Sequence, residues 1–251
     1  MNYAYYAQTD QGLIRQNNED SFLFDESCGV VVLADGMGGY NAGEVASSMA
    51  TTSIATALTH WLSNRELSNH PDDLCRLLAV SVDKANQAIR QASANDLDCK
   101  GMGTTVVAGI FRGDRLFLTH VGDSRCYRLR DGALVQITKD HSMLQEQVDA
   151  GLITRAHAAH APGRNLLTRA LGVDSRLPLE VKIHPVAVGD LYLMCSDGLT
   201  DMVDDDSIAS LMSQAKDLAT RASALIHLAN AKGGRDNVTV MLIHAKDVST
   251  N

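Results

Sequence analysis

The sequence predicts an α+β layered fold built on antiparallel sheet rather than a doubly wound parallel one. Three observations carry this. Apolar runs of strand length are joined mostly by short turns. The helical patterns come in blocks instead of alternating with strands. Several apolar runs end in an aspartate or follow one, the only recurrence in the chain. With 251 residues, 45% of them hydrophobic, there is material for a large core and none of the character of a disordered chain. No linker or low-complexity segment divides it, so one domain is expected over residues 1–251.

Taken in order, Tyr3 to Gln8 alternates loosely and reads as an edge strand. Gly12 to Asp20 is polar and turn-rich, ends in Asn18-Glu19-Asp20, and precedes the strand-like Phe22-Leu23-Phe24. Val30-Val31-Val32-Leu33-Ala34 reads as a buried strand running into Asp35-Gly36-Met37-Gly38-Gly39. An aspartate there cannot enter the core unpaired, because an isolated buried charge is very costly. It must reach solvent, a counter-charge or a metal, and the glycines let the backbone turn tightly beside a ligand. On these residues alone a plain Asp-Gly turn is an equal reading.

Asn41-Ala42-Gly43-Glu44 forms a capping box ahead of a long helix, Val45 to Leu62, rich in small residues. Ser63 to His70 joins it to a second helix from Pro71 to about Ala94, with Leu74, Leu77, Leu78, Val82, Ala85 and Ile89 at helical spacing. Thr104 to Phe111 and Arg115 to Val121 make a hairpin across Arg112-Gly113-Asp114, a turn rather than an adhesion signal. Arg125 to Leu129 and Ala133 to Ile137 make another across Asp131-Gly132. Met143 to Ala150 reads as a short helix. Gly151 to Arg164 is a mixed insertion in which His157 and His160 are read as solvated rather than ligating. Strands follow at Glu180 to His184 and Leu191 to Cys195, then helical pieces at Leu199 to Val203 and Asp206 to Ser213. Asp204-Asp205-Asp206 lacks the spaced ligands of a calcium loop and suits a helix start. A helix from Lys216 to Ala231 and a strand from Asn237 to Ala245 complete the chain.

The formal net charge of −8, with no basic block, argues against a nucleic-acid surface and a polybasic membrane anchor. No run approaches the roughly 18 uncharged apolar residues of a membrane span, and the N-terminus lacks signal-peptide character. The five cysteines are scattered without a CxxC pair, which indicates neither zinc ribbon nor disulfide framework. A reducing, cytoplasmic setting is expected.

The strand-end acids suggest the chemistry. Besides Asp35 and Asp20, Asp197 closes the run Leu191 to Ser196, Asp123 closes Leu116 to Gly122, and Asp236 stands before Val238 to Ile243. If these strands share a sheet system, the carboxylates meet at one edge and repel one another unless cations neutralise them. Oxygen-only clusters suit Mg²⁺ or Mn²⁺ rather than a soft metal. Arg15, with its planar fork, is then placed to meet an anion.

Seven motifs occur in order: Arg15-x-x-Asn18-Glu19-Asp20, Asp35-Gly36-Met37-Gly38-Gly39, Gly103-Thr104-Thr105, Val121-Gly122-Asp123-Ser124-Arg125, Asp140-His141-Ser142, Cys195-Ser196-Asp197-Gly198-Leu199 and Asp236-Asn237-Val238-Thr239. Together they resemble the PP2C (PPM) family of metal-dependent protein serine/threonine phosphatases in its compact bacterial form. The resemblance implies a four-layer α-β-β-α sandwich, two central antiparallel sheets flanked by helix pairs. It implies two Mn²⁺ or Mg²⁺ ions, with a third, weaker position. Carried over by motif, Asp35 bridges both metals and the Gly36 carbonyl binds one. Asp20, Asp197 and Asp236 are direct or near ligands, Glu19 acts through water, and Asp123 serves the third position together with Asp197. Arg15 holds the substrate phosphate, and residues about 143–165 form a flap beside the site.

The implied reaction is hydrolysis of phosphoserine or phosphothreonine by direct attack of a metal-bridging water, without a phosphoenzyme, in a monomer opposing a bacterial Ser/Thr kinase. A cysteine-dependent phosphatase is excluded, since no cysteine has an arginine at the required spacing. One departure matters: Met37 stands where many eukaryotic relatives carry histidine, so the leaving-group acid is open. A metal-bound water is the first choice and His141 the second, though His141 is equally read as structural. His120 is read as a satisfied core histidine or one supporting the site. The alternative from another class is a non-catalytic PP2C-fold regulatory or binding module, which should have lost ligands. A partner-switching phosphatase would carry a sensor domain, for which this chain leaves no room.

Overall fold

Strand β3 (Val30–Met37) fixes the architecture because every residue from Val30 to Ala34 is buried. Alternate side chains leave a strand on opposite faces. Val30, Val32 and Ala34 accordingly join one apolar cluster while Val31 and Leu33 join another. A strand covered on both sides reads as an unbroken apolar run. This is a computed structural model, and it describes residues 1–38, 42–63, 70–154, 157, 166–214 and 216–247.

Eleven strands are described: β1 (Asn2–Asp10), β2 (Asp20–Asp25), β3, β4 (Gly103–Thr104), β5 (Val106–Arg112), β6 (Arg115–Val121), β7 (Arg125–Arg130), β8 (Ala133–Gln136), β9 (Lys182–Pro185), β10 (Leu191–Cys195) and β11 (Val238–Lys246). They form two sheets in the orders β1-β11-β10-β7-β8 and β2-β3-β5-β6-β9, with β4 on β3. Each pairing is antiparallel.

The sheets pack face to face through Val31, Leu33, Val107, Leu118, Tyr192, Met194 and Ile243. Helices α1 (Ala42–Ser63) and α2 (Pro71–Asn95) cover the outer face of the second sheet, through Ala46, Ile54, Leu78 and Ile89. On the outer face of the first sheet lie α4 (Asp197–Thr200), α5 (Asp205–Met212) and α6 (Leu218–Ala231), through Leu199, Ile208, Leu225 and Ile226. The short α3 (Met143–Asp149) stands apart from both helix layers, at the start of the expected flap. This is the four-layer α-β-β-α sandwich expected from the resemblance.

Several boundaries differ from expectation for identifiable reasons. The strand expected over Thr104 to Phe111 is interrupted at Thr105, whose Oγ1 accepts from the Asp35 N–H at 3.0 Å while its own N–H donates to the Asp35 carbonyl at 2.9 Å. A side-chain oxygen has replaced a ladder acceptor. The helix expected from Leu199 starts at Asp197 itself, behind Ser196 in the N-cap position. Helix α6 starts at Leu218 because the Asp217 carboxylate caps the Thr220 N–H at 2.7 Å. Strand β9 runs over Lys182–Pro185, and Glu180 lies before it, its carbonyl accepting from Thr119 Oγ1. The capping-box Asn41, most of the Ser63–His70 connection, His160 and most of residues 155–165 lie outside the described residues. Among the described residues no helix is long and apolar enough to cross a membrane, and the five cysteines are free.

Candidate active site

The site forms where the two sheets end together. In the β2–β3 ladder Asp20 lies directly opposite Asp35. Like charges at opposed antiparallel positions repel, so the register itself sets two carboxylates against each other. Asp35 continues the alternation of Val31 and Leu33 and so belongs to the face between the sheets. From the other sheet, Asp197 opens α4 just after β10, and Asp236 stands before β11. Asp123 follows β6 on the Gly122 turn.

Asp20 is the most constrained of these. Its Oδ2 accepts from Thr239 Oγ1 at 2.6 Å and Ser196 Oγ at 2.8 Å. Its Oδ1 is buried and has no hydrogen-bond partner. Burial raises the Asp20 pKa to about 6 against the opposing pull of the two hydroxyls, and Asp236 adds to the rise. Asp123 is raised to about 7 by burial and by Asp140. Asp35 and Asp197 are pushed well above the usual range, first by burial and then by neighbouring aspartates: Asp20, Asp197, Asp123 and Asp236 for Asp35, and Asp123, Asp201, Asp236 and Asp20 for Asp197. Burial also raises Glu19, partly offset by Asn17 and Arg15.

The backbone around the cluster leaves no slack. A Cβ on Gly36 would fall 2.1 Å from the Gly43 carbonyl oxygen, and one on Gly198 would fall 2.0 Å from the Asn237 carbonyl oxygen. The Gly36 N–H donates to the Glu19 carbonyl at 3.0 Å. Asn237 ties the whole rim together. Its Oδ1 accepts from the Glu19 N–H at 2.8 Å, and its Nδ2 donates to the carbonyls of Gln11 and Asn17, each at 2.9 Å. Its own N–H donates to Asp236 Oδ1 at 2.8 Å.

Arg15 sits at the rim. Its Nη2 donates to Asp236 Oδ2 at 2.6 Å, and half of its side chain is exposed. His141 lies elsewhere. Its ring stacks on His120 at 4.7 Å between centroids, its Nδ1 accepts from the Gly122 N–H at 3.2 Å, and its Nε2 faces Arg169 Nη1 at 3.4 Å. Burial, His120 and Arg169 push its pKa down to about 4, so the ring is neutral at pH 7. Met37 lies opposite Gly103 in the β3–β4 pair.

Sequence reasoning missed the roles of Ser196, Thr239, Asn237 and Asp201. The first three lie inside the quoted motifs, and the period of two along β11 puts Asn237 and Thr239 on one face. Asp201 follows Asp197 at helical spacing and raises both Asp197 and Asp123.

Among the described residues, no three His, Cys, Asp or Glu side chains close into a ready ion cage. Mutual repulsion works against such closure in the protein alone. The donor set nevertheless fits a hard divalent cation. It is all oxygen, it is carboxylate-rich, it holds carboxylates raised by one another's charge, and it contains a buried carboxylate oxygen with no partner.

A four-layer sandwich with acids from both sheets gathered at one end defines a phosphatase scaffold of the metal-dependent class. The chain belongs to the protein phosphatase 2C family, whose profile matches residues 12–231. It is 36% identical over 239 residues to the serine/threonine phosphatase stp of Listeria monocytogenes serotype 4b (strain F2365), covering 94% of this chain and 93% of that protein. It is 44% identical over 243 residues to the serine/threonine protein phosphatase PstP of Mycobacterium tuberculosis (strain H37Rv), covering 97% of this chain but only 45% of that longer protein. The crystal structure of the M. tuberculosis phosphatase PstP/Ppp superposes with a TM-score of 0.89 at 41% identity, over 98% of this chain and all of that one. The PstP catalytic domain in complex with two manganese ions superposes with a TM-score of 0.85 at 40% identity, over 98% of this chain and 99% of that one.

Proposed function

We propose that the chain is a metal-dependent protein phosphatase acting on phosphoserine and phosphothreonine at the carboxylate cluster. The observation that carries the site is the opposition of Asp20 and Asp35 across β2 and β3, with Asp20 Oδ1 buried and unpartnered. Asp20, Asp35, the Gly36 carbonyl, Asp197 and Asp236 are the residues that would hold two Mn²⁺ or Mg²⁺ ions. Glu19 would act through water, and Asp123 with Asp197 would serve a third position. Bound divalent cations supply Lewis acidity and lower the pKa of water to near neutrality.

The chain's own groups position this chemistry. Arg15 keeps one guanidinium nitrogen on Asp236 and leaves the rest of its fork to orient phosphoryl oxygens at the rim. Asn237 fixes Asp236 and Glu19 relative to each other through two backbone hydrogen bonds. The leaving-group proton comes from water rather than a side chain: Met37 carries none, and His141 is neutral and held against Gly122. The non-catalytic alternative is not favoured, since every carboxylate of the cluster is in place.

The physiological substrates are phosphoproteins of a bacterial Ser/Thr kinase system, and the protein works as a monomer in the cytoplasm. Its five free cysteines accord with a reducing compartment. Hydrolysis of a small aryl phosphate with Mn²⁺ and with chelator tests the reading. Mn²⁺-dependent turnover that falls by orders of magnitude in Asp236→Asn is expected. A folded sample with no metal-dependent hydrolysis would refute it.

A further inference from the structure

Leu13 and Ile14 stand immediately before Arg15, and their side chains are in solvent, 66% and 68% exposed. Among the described residues they are the only two consecutive large apolar residues that are exposed. Apolar side chains scattered singly over a surface are ordinary, whereas an adjoining pair at the edge of a site asks for an occupant.

Their exposure does not come from a slack loop. The Leu13 N–H donates to the Gly234 carbonyl at 2.7 Å and the Gly12 N–H to Asp10 Oδ1 at 2.8 Å. The Gln11 carbonyl accepts from Asn237 Nδ2 at 2.9 Å, and the Arg15 carbonyl accepts from Gln11 Nε2 at 2.7 Å. Gly12 turns with φ +77°, and a Cβ there would fall 2.3 Å from the Asp236 carbonyl oxygen. The backbone of the loop is thus fastened to residues 234–237, with its polar groups turned to partners within the protein. What it offers outward is two aliphatic side chains held in place, so little ordering is left for a ligand to bear.

The loop is continuous with the candidate active site. Residues 13–15 run beside 234–236, from Leu13 on Gly234 to Arg15 Nη2 on Asp236 Oδ2 at 2.6 Å. Ile14 is one Cα step from Arg15 and Leu13 two, at about 3.8 Å each. An extended substrate advances about 3.3–3.6 Å per residue. A phosphoryl group on the free part of the Arg15 fork therefore brings side chains within about three residues of it over this pair.

We propose that Leu13 and Ile14 are specificity-determining residues, the floor of a subsite that takes one apolar side chain on one side of the phosphorylated residue. The occupant is a Leu, Ile, Val or Met of the substrate phosphoprotein. This rests on the phosphatase reading and deepens it by naming the kind of sequence around the phosphate that the site selects.

The test uses the Mn²⁺-loaded protein and phosphothreonine peptides with otherwise Gly and Ser flanks, in which one Leu is stepped through the three positions on either side. On one side only, Leu is expected to raise kcat/KM about tenfold, as burial of most of one aliphatic side chain allows. The gain should lie in KM with kcat little changed, because the contact is the same before and during reaction. In Leu13→Ser/Ile14→Ser the ratio of Leu-flanked to Ser-flanked kcat/KM should fall to about one. In Ile14→Glu the preference should pass from Leu to Arg at the same position, a change of selectivity that a merely structural residue would not produce. The proposal is overturned if no Leu position lowers KM, if Leu acts equally on both sides, if the preference survives in the double Ser variant, or if Ile14→Glu gains nothing for Arg. A wild-type dimer in sedimentation that Ile14→Glu dissociates, without a flank preference, would assign the pair to a contact between copies of the chain and also overturn it. Turnover without a flank preference strikes the subsite alone, whereas absence of Mn²⁺-dependent turnover of any phosphoester strikes the phosphatase reading and the subsite with it.

Discussion

Replacing Asp20 by Asn should make the metal-free protein more stable while removing its activity. The folded pKa of Asp20 is about 6 against 3.8 for the free side chain. Between those values the native state binds a proton that the unfolded chain has released, so stability falls as pH rises through that window and the loss is complete above about pH 6. A shift of about two units corresponds to about 3 kcal/mol. Asn carries no charge, keeps an oxygen for Ser196 and Thr239, and places an amide donor where Oδ1 has no partner and Asp35 lies opposite. In chelator at pH 8 the variant should therefore exceed wild type by about 2–3 kcal/mol, roughly 5–10 °C in Tm for a domain of this size. At pH 4 the two should nearly coincide. Thermal unfolding at both pH values measures this directly, with Mn²⁺-dependent hydrolysis recorded alongside. An Asp20→Asn protein that melts below wild type at pH 8, or a difference that does not change with pH, would refute the claim that repulsion and burial strain this carboxylate.

Divalent cation should act in the opposite direction on wild type. Mn²⁺ at a hundredfold excess over its Kd should stabilise the fold by about 2.7 kcal/mol, and by less at pH 5, where raised carboxylates such as Asp123 hold their protons. A melting temperature indifferent to Mn²⁺ would contradict this. Gly36→Ala should lose more than about 4 kcal/mol in unfolding experiments, because its Cβ meets backbone oxygens of Gly43 and Glu19 that cannot both withdraw; unfolding within about 1 kcal/mol of wild type would count against the tight contact. Arg15→Ala should raise KM for phosphopeptides about tenfold with a smaller change in kcat, and an unchanged KM would count against its phosphate role.

Much of this architecture was legible because strands buried on both faces leave unbroken apolar runs. Val30 to Ala34, Leu191 to Cys195 and Val238 to Ile243 all read correctly as strands for that reason. The acids were legible as interruptions of those runs. Which strands would pair was not, since antiparallel register is decided by partners far away in sequence, and the opposition of Asp20 and Asp35 emerged only from the ladder. The break at Thr105 was hidden because threonine suits a strand equally well, and only its neighbour Asp35 turns its hydroxyl into a backbone acceptor. His141 looked like a candidate acid in sequence. Its neutrality comes from burial, His120 and Arg169, none of which a local motif reveals.

The hydroxyl of Thr239 reaches Asp20 across 219 residues of chain, and this separation has a consequence in time. During synthesis at about 5–20 residues per second, the first acids of the cluster emerge roughly 10–40 seconds before the last. Strands β1 and β11 lie side by side in one sheet, so that sheet closes only when the final strand is delivered. A nascent chain on the ribosome holds β2 and β3, with their opposed aspartates, long before Asp236 and Asn237 arrive to complete the rim. The carboxylate cluster and its rim are thereby incomplete until nearly the whole chain has been made.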